Sequence, residues 1–399
     1  MKLNPETVFG RVKTEIFDRA TGRRISKSPW QKNLVFDIGL NDLADNRGFA
    51  PFFVACKIGS GNSANSYASG AITFTQSGTT ITASGSFFTA AMTGGLFKWG
   101  TGTGGAEVYI TYVNATTATA SASATVTTPT VATVWQVQKT ALDTFLYASN
   151  TYGGTAGDNS TSYSGNSVTM QRKFIFAAQA STYSVNEVGY FNSTGTGGTV
   201  NGRVVLSSTD TVTPSQYYVV TWQMTFTVSP GVPTAVADVG TNINTAGNAM
   251  QTVWDCQIVA SNGVNANSFA GAWYSGGVMD GHSFNGSGQN VYLGLGAAPT
   301  LPASIQTTAP GTEASFILLG SASRAQSTSA GFSSMTVSFN ITTTGQTVNY
   351  IGLGGSQISS GGNKAQSFVL VLTTPYVCPS GTFQGSITFT VQFQRNLSN

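Results

Sequence analysis

The feature that most restricts the fold of this chain is a spacing that occurs twice. Phe176, Val185-Asn186, Gly189 and Thr225-Phe226-Thr227-Val228 return as Phe339, Val348-Asn349, Gly352 and Thr388-Phe389-Thr390-Val391, each 163 positions further on (176 to 339, 185 to 348, 189 to 352, 225 to 388). Between these anchors each copy has a glycine-rich loop, an apolar run and a proline turn. The runs are Arg203-Val204-Val205-Leu206 and Phe368-Val369-Leu370-Val371-Leu372, followed by Pro214 and Pro379. Self-similarity at one offset marks duplicated structural units. Short β-branched and aromatic runs bounded by Gly, Pro and Ser have the length and period of strands, so each unit is expected to be an antiparallel β-sandwich.

Composition removes the main alternative. Only 8% of the residues are charged, where a soluble domain ordinarily carries about a quarter. Surface helices need Glu, Lys and Arg, so few helices can be covered, and the fold class read here is all-β, with two related sandwiches. A formal charge of +3 over 399 residues, with Lys and Arg gathered near the N-terminus, gives no periodic basic face, and no nucleic-acid partner is expected. No stretch approaches about 18 uninterrupted apolar residues, and Met1-Lys2-Leu3-Asn4-Pro5-Glu6 does not read as a signal peptide. Synthesis in the cytosol without a membrane span is the expectation. Cys56, Cys256 and Cys378 lie in or beside apolar strand patterns without metal-ligand spacing and read as small buried hydrophobes.

Along the chain, Val8, Val12 and Ile16 alternate before the turn Asp18-Arg19-Ala20-Thr21-Gly22, which reads as a hairpin. Leu40, Leu43 and Ala44 have helical spacing behind Asp37, the one short helix expected. Residues 52–59 read as a buried strand. Lys57-Ile58-Gly59 corresponds to Tyr292-Leu293-Gly294, and from there the first copy is much the longer. The excess falls on the alternating tract 70–137, read as a small all-β module inserted in a surface loop, where extra length costs little. The expected organisation is a first sandwich from 1–69 and 138–229, the inserted module 70–137, a linker 230–250 and a second sandwich 251–399.

A search for chemistry finds none. His282 is the only histidine, so mechanisms needing two histidines are excluded, and it sits in the turn Asp280-Gly281-His282-Ser283. Gly100-Thr101-Gly102-Thr103-Gly104-Gly105 fits a dinucleotide fingerprint, but a strand pattern rather than a helix follows, so it reads as a hairpin loop. Asp143, Asp158, Asp255 and Asp280 could supply a glycosidase pair only if the fold brought two of them together. The sequons at Asn114 and Asn340 are by-products of composition. Trp273-Tyr274, Tyr152 and Tyr163 lie in glycine-rich loops where rings could stack on sugars or pack at a subunit contact. No catalytic, cofactor-binding or metal-ligating residue is assigned, no cofactor is expected, and the chain reads as non-enzymatic.

Three stretches together resemble tailed-bacteriophage virion structural proteins. Asp18-Arg19-Ala20-Thr21-Gly22 with Asn33-Leu34-Val35 and Gly39-Leu40 looks like their N-terminal hairpin and helix. Val212 to Val228 looks like their closing strand pair, and the tract around Gly78-Thr79-Thr80-Ile81-Thr82 is similar to their accessory modules. The resemblance implies a component of tail, neck, collar or capsid that assembles as a homo-oligomer and carries no catalytic residues. Edge strands, or the segment around Phe9 to Phe17, are expected to contact another subunit or the particle. A protein that recognises a host surface receptor or decorates a capsid is the alternative.

Overall fold

A computed structural model of the chain describes residues 6–44, 55–99, 107–151, 153, 159–164, 167–191, 198–227, 249–252, 290–294, 316–321, 332–343, 345, 347–354, 366–377, 381–395 and 397. The described chain is nearly all strand. The helix Asp37–Ala44 and the 3-10 turn Ala90–Met92 are the helical elements among the described residues, and turns and loops join the strands.

Strand order repeats between the copies. In the first, Phe145–Ser149, Ala55–Gly59, Tyr183–Phe191, Val200–Val212 and Leu34–Val35 lie side by side in that order. In the second, Phe316–Ser321, Asn290–Gly294, Thr347–Gly354, Gln366–Val377 and Ala249–Thr252 do the same. The register also agrees: Gly59 faces Glu187 as Gly294 faces Tyr350, and Gly189 faces Arg203 as Gly352 faces Val369. Even the irregularities coincide. The ladder shifts between Val185 and Glu187 and between Tyr190 and Phe191, and in the second copy between Val348 and Tyr350 and between Leu353 and Gly354. A bulge bends its strand and re-aims side chains, so two bulges at the 163-residue offset reproduce the same local shape twice.

The remaining strands form the opposing layer. Ser167–Phe176 pairs antiparallel with Gln216–Thr227, and Phe332–Thr343 with Gly381–Arg395. In each copy the outer two of four consecutive strands pair in one sheet and the inner two in the other, the crossing expected of a Greek-key sandwich.

One strand belongs to both copies. Glu6–Asp18 pairs antiparallel with Gln216–Thr227 from Thr7 opposite Thr227 to Asp18 opposite Gln216. Its other side runs parallel to the end of Gly381–Arg395, from Glu6 opposite Phe393 to Val8 opposite Arg395, and then meets Gln31–Lys32 and Arg24–Lys27. The two sandwiches therefore share a continuous sheet. The main chain of Phe9 to Phe17 is engaged on both sides within the chain, so contacts from it to another subunit would be made by side chains.

The first core follows from period-two alternation. Val8, Val12 and Ile16 face inward with Tyr218, Val220, Trp222 and Met224 of the neighbouring strand, all buried. Trp222 crosses to the other sheet: its ring meets Tyr190 edge-on with centroids 4.9 Å apart, and its Nε1 donates to Cys56 Sγ at 3.3 Å. Burial pushes the Cys56 thiol pKa far up despite that hydrogen bond. Cys56 is thus packed as an apolar residue, whereas Cys256 and Cys378 lie outside the described residues.

Strands Ser66–Ala68, Phe74–Ala83, Leu96–Trp99, Glu107–Asn114, Thr117–Thr130 and Ala132–Trp135 form a six-stranded sheet of their own. Its first strand begins ahead of residue 70, and the strand Ala249–Thr252 overlaps the expected end of the linker. Edge-to-face rings centre its core: Phe74 lies 5.1 Å from Phe97, which lies 4.7 Å from Trp99. The tract is packed as well as tethered, because Leu96, Tyr109 and Trp135 join Leu34, Phe36, Val137, Leu142, Val200 and Leu397 in one apolar cluster.

Candidate functional site

Charged residues are so scarce that their placement identifies where the fold uses them. The densest group lies where the connections of the inserted module leave and re-enter the first sandwich. Glu187, just after the first bulge, and Arg203 on the adjacent strand are both fully buried. Arg203 Nε donates to Glu187 Oε2 at 2.7 Å. One terminal nitrogen donates to Ser63 O at 2.9 Å and Asn65 Oδ1 at 3.0 Å, and the other to Asp143 Oδ2 at 2.5 Å. Glu187 also accepts from the main-chain N–H groups of Gly61, Thr144 and Asp143 at 3.0, 2.9 and 3.1 Å. Residues 61–65 belong to the outgoing connection and 139–144 to the returning one, so one ion pair fastens both.

Removing two charges from water costs several kcal/mol each, a cost offset only when their remaining hydrogen-bonding positions are filled. Here they are filled. The outer layer consists of Lys139, whose Nζ donates to Asp143 Oδ1 at 2.6 Å and Ser63 Oγ at 2.7 Å, with Ser63 Oγ also hydrogen-bonded to Asp143 Oδ2. Burial pushes the Asp143 carboxyl up, but the bonds from Lys139 and Ser63 and the Arg203 charge outweigh it and hold its pKa at about 2. Two glycines make the approach close enough. A Cβ on Gly61 would lie 2.3 Å from Asp143 Cβ, and one on Gly59 would lie 2.4 Å from Thr144 O.

The second copy lacks both the module and the charges. At the register positions of Glu187 and Arg203 it has Tyr350 and Val369. The cluster therefore accompanies the insertion rather than the sandwich. Its carboxylates are committed to a guanidinium and an ammonium, so the arrangement fixes geometry.

A second junction ties the C-terminal strand to the same region. Arg395 Nε donates to Val35 O at 2.9 Å, and its terminal nitrogen is paired with Asp37 Oδ1 at the start of the helix. Tyr109 of the module touches both charges, and burial, reinforced by Asp37, raises its phenol to about 12.

The third charged feature is the N-terminal hairpin. Thr21 N and Oγ1 both donate to Asp18 Oδ1 at 2.7 Å, Gly22 N donates to Asp18 O at 2.9 Å, and Gly22 takes φ of 67°. That closes the Asp18 to Gly22 turn and lowers the Asp18 pKa. Behind it, Arg24 reaches Glu15 at 3.1 Å, and Arg11 lies 4.7 Å over the Trp30 ring. The strand Arg24–Lys27 is exposed at all four positions.

Of the residues singled out in the sequence as candidates for chemistry, Asp143 alone enters one of these clusters, whereas Asp37 and the Asp18 to Gly22 turn, read there as structure, supply the other two. Tyr163, expected in a loop, lies on the strand Asn159–Ser164 opposite Val168. Asp158, Asp255, Asp280, His282, Tyr152, Trp273 and Tyr274 lie outside the described residues, as do 100–105; the strands flanking that loop, Leu96–Trp99 and Glu107–Asn114, pair as a hairpin. Glu187 and Arg203 carried a signal of their own, a lone charge inside an apolar strand in a chain with few charges. Among the described residues no group of three or more His, Cys, Asp or Glu is placed to hold a metal ion, and no helix is long and apolar enough to cross a membrane. Comparison with protein-family models, curated proteins and solved structures finds no match to this chain.

Proposed function

We propose that this chain is a non-enzymatic structural component of a tailed-bacteriophage virion, associated with the tail or the neck and collar, and that it assembles there as a symmetric homo-oligomer. The observation that supports this reading most is how its few charges are used. Glu187, Arg203, Asp143, Asp37, Arg395, Glu107 and Lys98 are spent on internal pairs that lock one element to another. Such wiring favours rigidity over chemistry. Outside the cationic N-terminal hairpin, a chain with 8% charged residues has a surface that depends on hydroxyls and amides, one suited to being covered by neighbours.

Two measurements test the reading. The native mass of the purified chain should be a multiple of 41.4 kDa, and antibodies raised against the chain should label purified particles at one symmetric position. A stable monomer absent from particles would overturn it.

A further inference from the structure

The charge of this chain is unevenly distributed, and the imbalance ends on an open strand edge. Residues 1–32 hold 8 of the 18 Lys and Arg and 3 of the 15 Asp and Glu, which leaves 10 bases against 12 acids in all the rest. Acids with described side chains are occupied inside the chain: Glu15 by Arg24, Asp18 by Thr21, Asp37 by Arg395, Glu107 by Lys98, and Asp210 by Thr14 and Tyr218. Asp143 and Glu187 are taken by Arg203. By contrast, Arg19, Arg23 and Lys27 are exposed, and among the described residues none of them has a carboxylate at ion-pair distance. Arg23 acts on Asp18 only as a nearby charge.

These three cations bracket the strand Arg24–Lys27. Among the described residues it pairs with Glu6–Asp18 on one side and with nothing on the other. Ser28 N donates inward to Thr14 O, so by the alternation of an antiparallel ladder the Lys27 N–H points to the open side. Ile25, 53% exposed, stands in the middle of this edge. An open edge with an apolar contact and flanking positive charge can take up an extended acidic segment as one more strand. The phosphates of a nucleic acid could meet the cations and single N–H groups, but its backbone carries no donors for the outward C=O groups of the edge, which an added strand satisfies.

We propose that the Arg24–Lys27 edge is a docking strand for an acidic polypeptide segment of a partner protein, which adds to the shared sheet with its carboxylates against Arg19, Arg23 and Lys27. The partner is a different molecule, because the acids of this chain with described side chains, Asp42 included, are already engaged, and the other seven stand singly in the sequence and form no acidic run. This deepens the docking role proposed above and rests on it. Its test uses the isolated chain in solution, whereas the virion reading is judged on particles, so either can fail alone.

The experiment is fluorescence anisotropy of a labelled poly-glutamate peptide titrated with the full chain, beside a duplex DNA oligonucleotide and a poly-threonine peptide of equal length. Poly-glutamate should bind best, with affinity falling as salt rises. A variant carrying Arg19→Ser, Arg23→Ser and Lys27→Ser should bind about tenfold more weakly. Lys27→Pro should bind about threefold to tenfold more weakly than Lys27→Ser, because it also removes the outward N–H. Circular dichroism should show all three variants folded. Equal binding by the triple variant, tighter binding of the DNA, or equal affinities of Lys27→Pro and Lys27→Ser would each overturn the proposal.

Discussion

Replacing Arg203 by valine, the residue that the second copy has at that register, is the most direct test of how the module is held. The substitution leaves Glu187 fully buried, still accepting three main-chain N–H bonds but without its counter-ion. It also strips Ser63 O and Asn65 Oδ1 of their donor. Breaking a buried pair by removing one partner costs about 3–5 kcal/mol. With a urea dependence of about 2–3 kcal/mol per molar, the unfolding midpoint should fall by about 1–2.5 M. Glu187→Tyr should cost a similar amount for a different reason, since it orphans the N–H groups of Gly61, Asp143 and Thr144, whose amide exchange should accelerate. The double variant, which has both residues of the second copy, should be more stable than the sum of the single losses predicts by about 2–3 kcal/mol, yet short of the parent because those N–H groups still lack an acceptor. A loss below about 1 kcal/mol for Arg203→Val, or strict additivity in the double variant, would refute the idea that this pair carries the junction.

Asp143 gives the same junction a pH signature. Its folded pKa of about 2 lies below the ordinary value of about 3.9, so its contribution is complete above about pH 4 and is lost as pH falls towards 2. With allowance for its partial exposure this amounts to about 1–2 kcal/mol, and Asp143→Asn should abolish that part of the acid dependence in urea titrations at pH 2 to 6. Gly61→Ala should destabilise by about 1–3 kcal/mol, since the added carbon would press on Asp143 and Glu187; thermal melts check this. Arg395→Ala should cost about 1.5–3 kcal/mol and raise proteolytic nicking of the C-terminal strand, because Asp37 and Val35 O lose their charged donor.

The strands and the duplication were legible in the sequence because both are written locally. Alternation at Val8, Val12 and Ile16 sets a face, and the spacing of Val185, Gly189 and Phe226 survives in the second copy without reference to the rest of the chain. The short helix behind Asp37 was legible for the same reason. The charged junction was not, although Asp143 was among the acids considered. Glu187 and Arg203 meet because a bulge turns one strand beside another, and Ser63 meets Asp143 only once the whole module has closed between them. The parallel contact of Glu6 to Val8 with Phe393 to Arg395 joins opposite ends of the chain, and no periodicity announces a pairing of that range. The roles of Gly59 and Gly61 were half legible: a glycine-rich loop was visible, but not that the space was needed for Thr144 and Asp143.

The shared first strand also has a consequence for the order in which the protein is made. At about 5–20 residues per second, synthesis of the chain takes about 20–80 s, and nascent domains fold as units from the N-terminus. Residues 6–18 find their partner once residue 227 has left the ribosome, so the first sandwich can close while most of the second is still unmade. From then on, the main chain of Glu6 to Val8 is a finished half-rail awaiting Phe393 to Arg395. The earlier half of the protein thus serves as an internal scaffold for the later half, and it fixes where the last strand must land. A message broken between the two halves would release a product with that rail bare, an unsatisfied strand edge of the kind that recruits other chains.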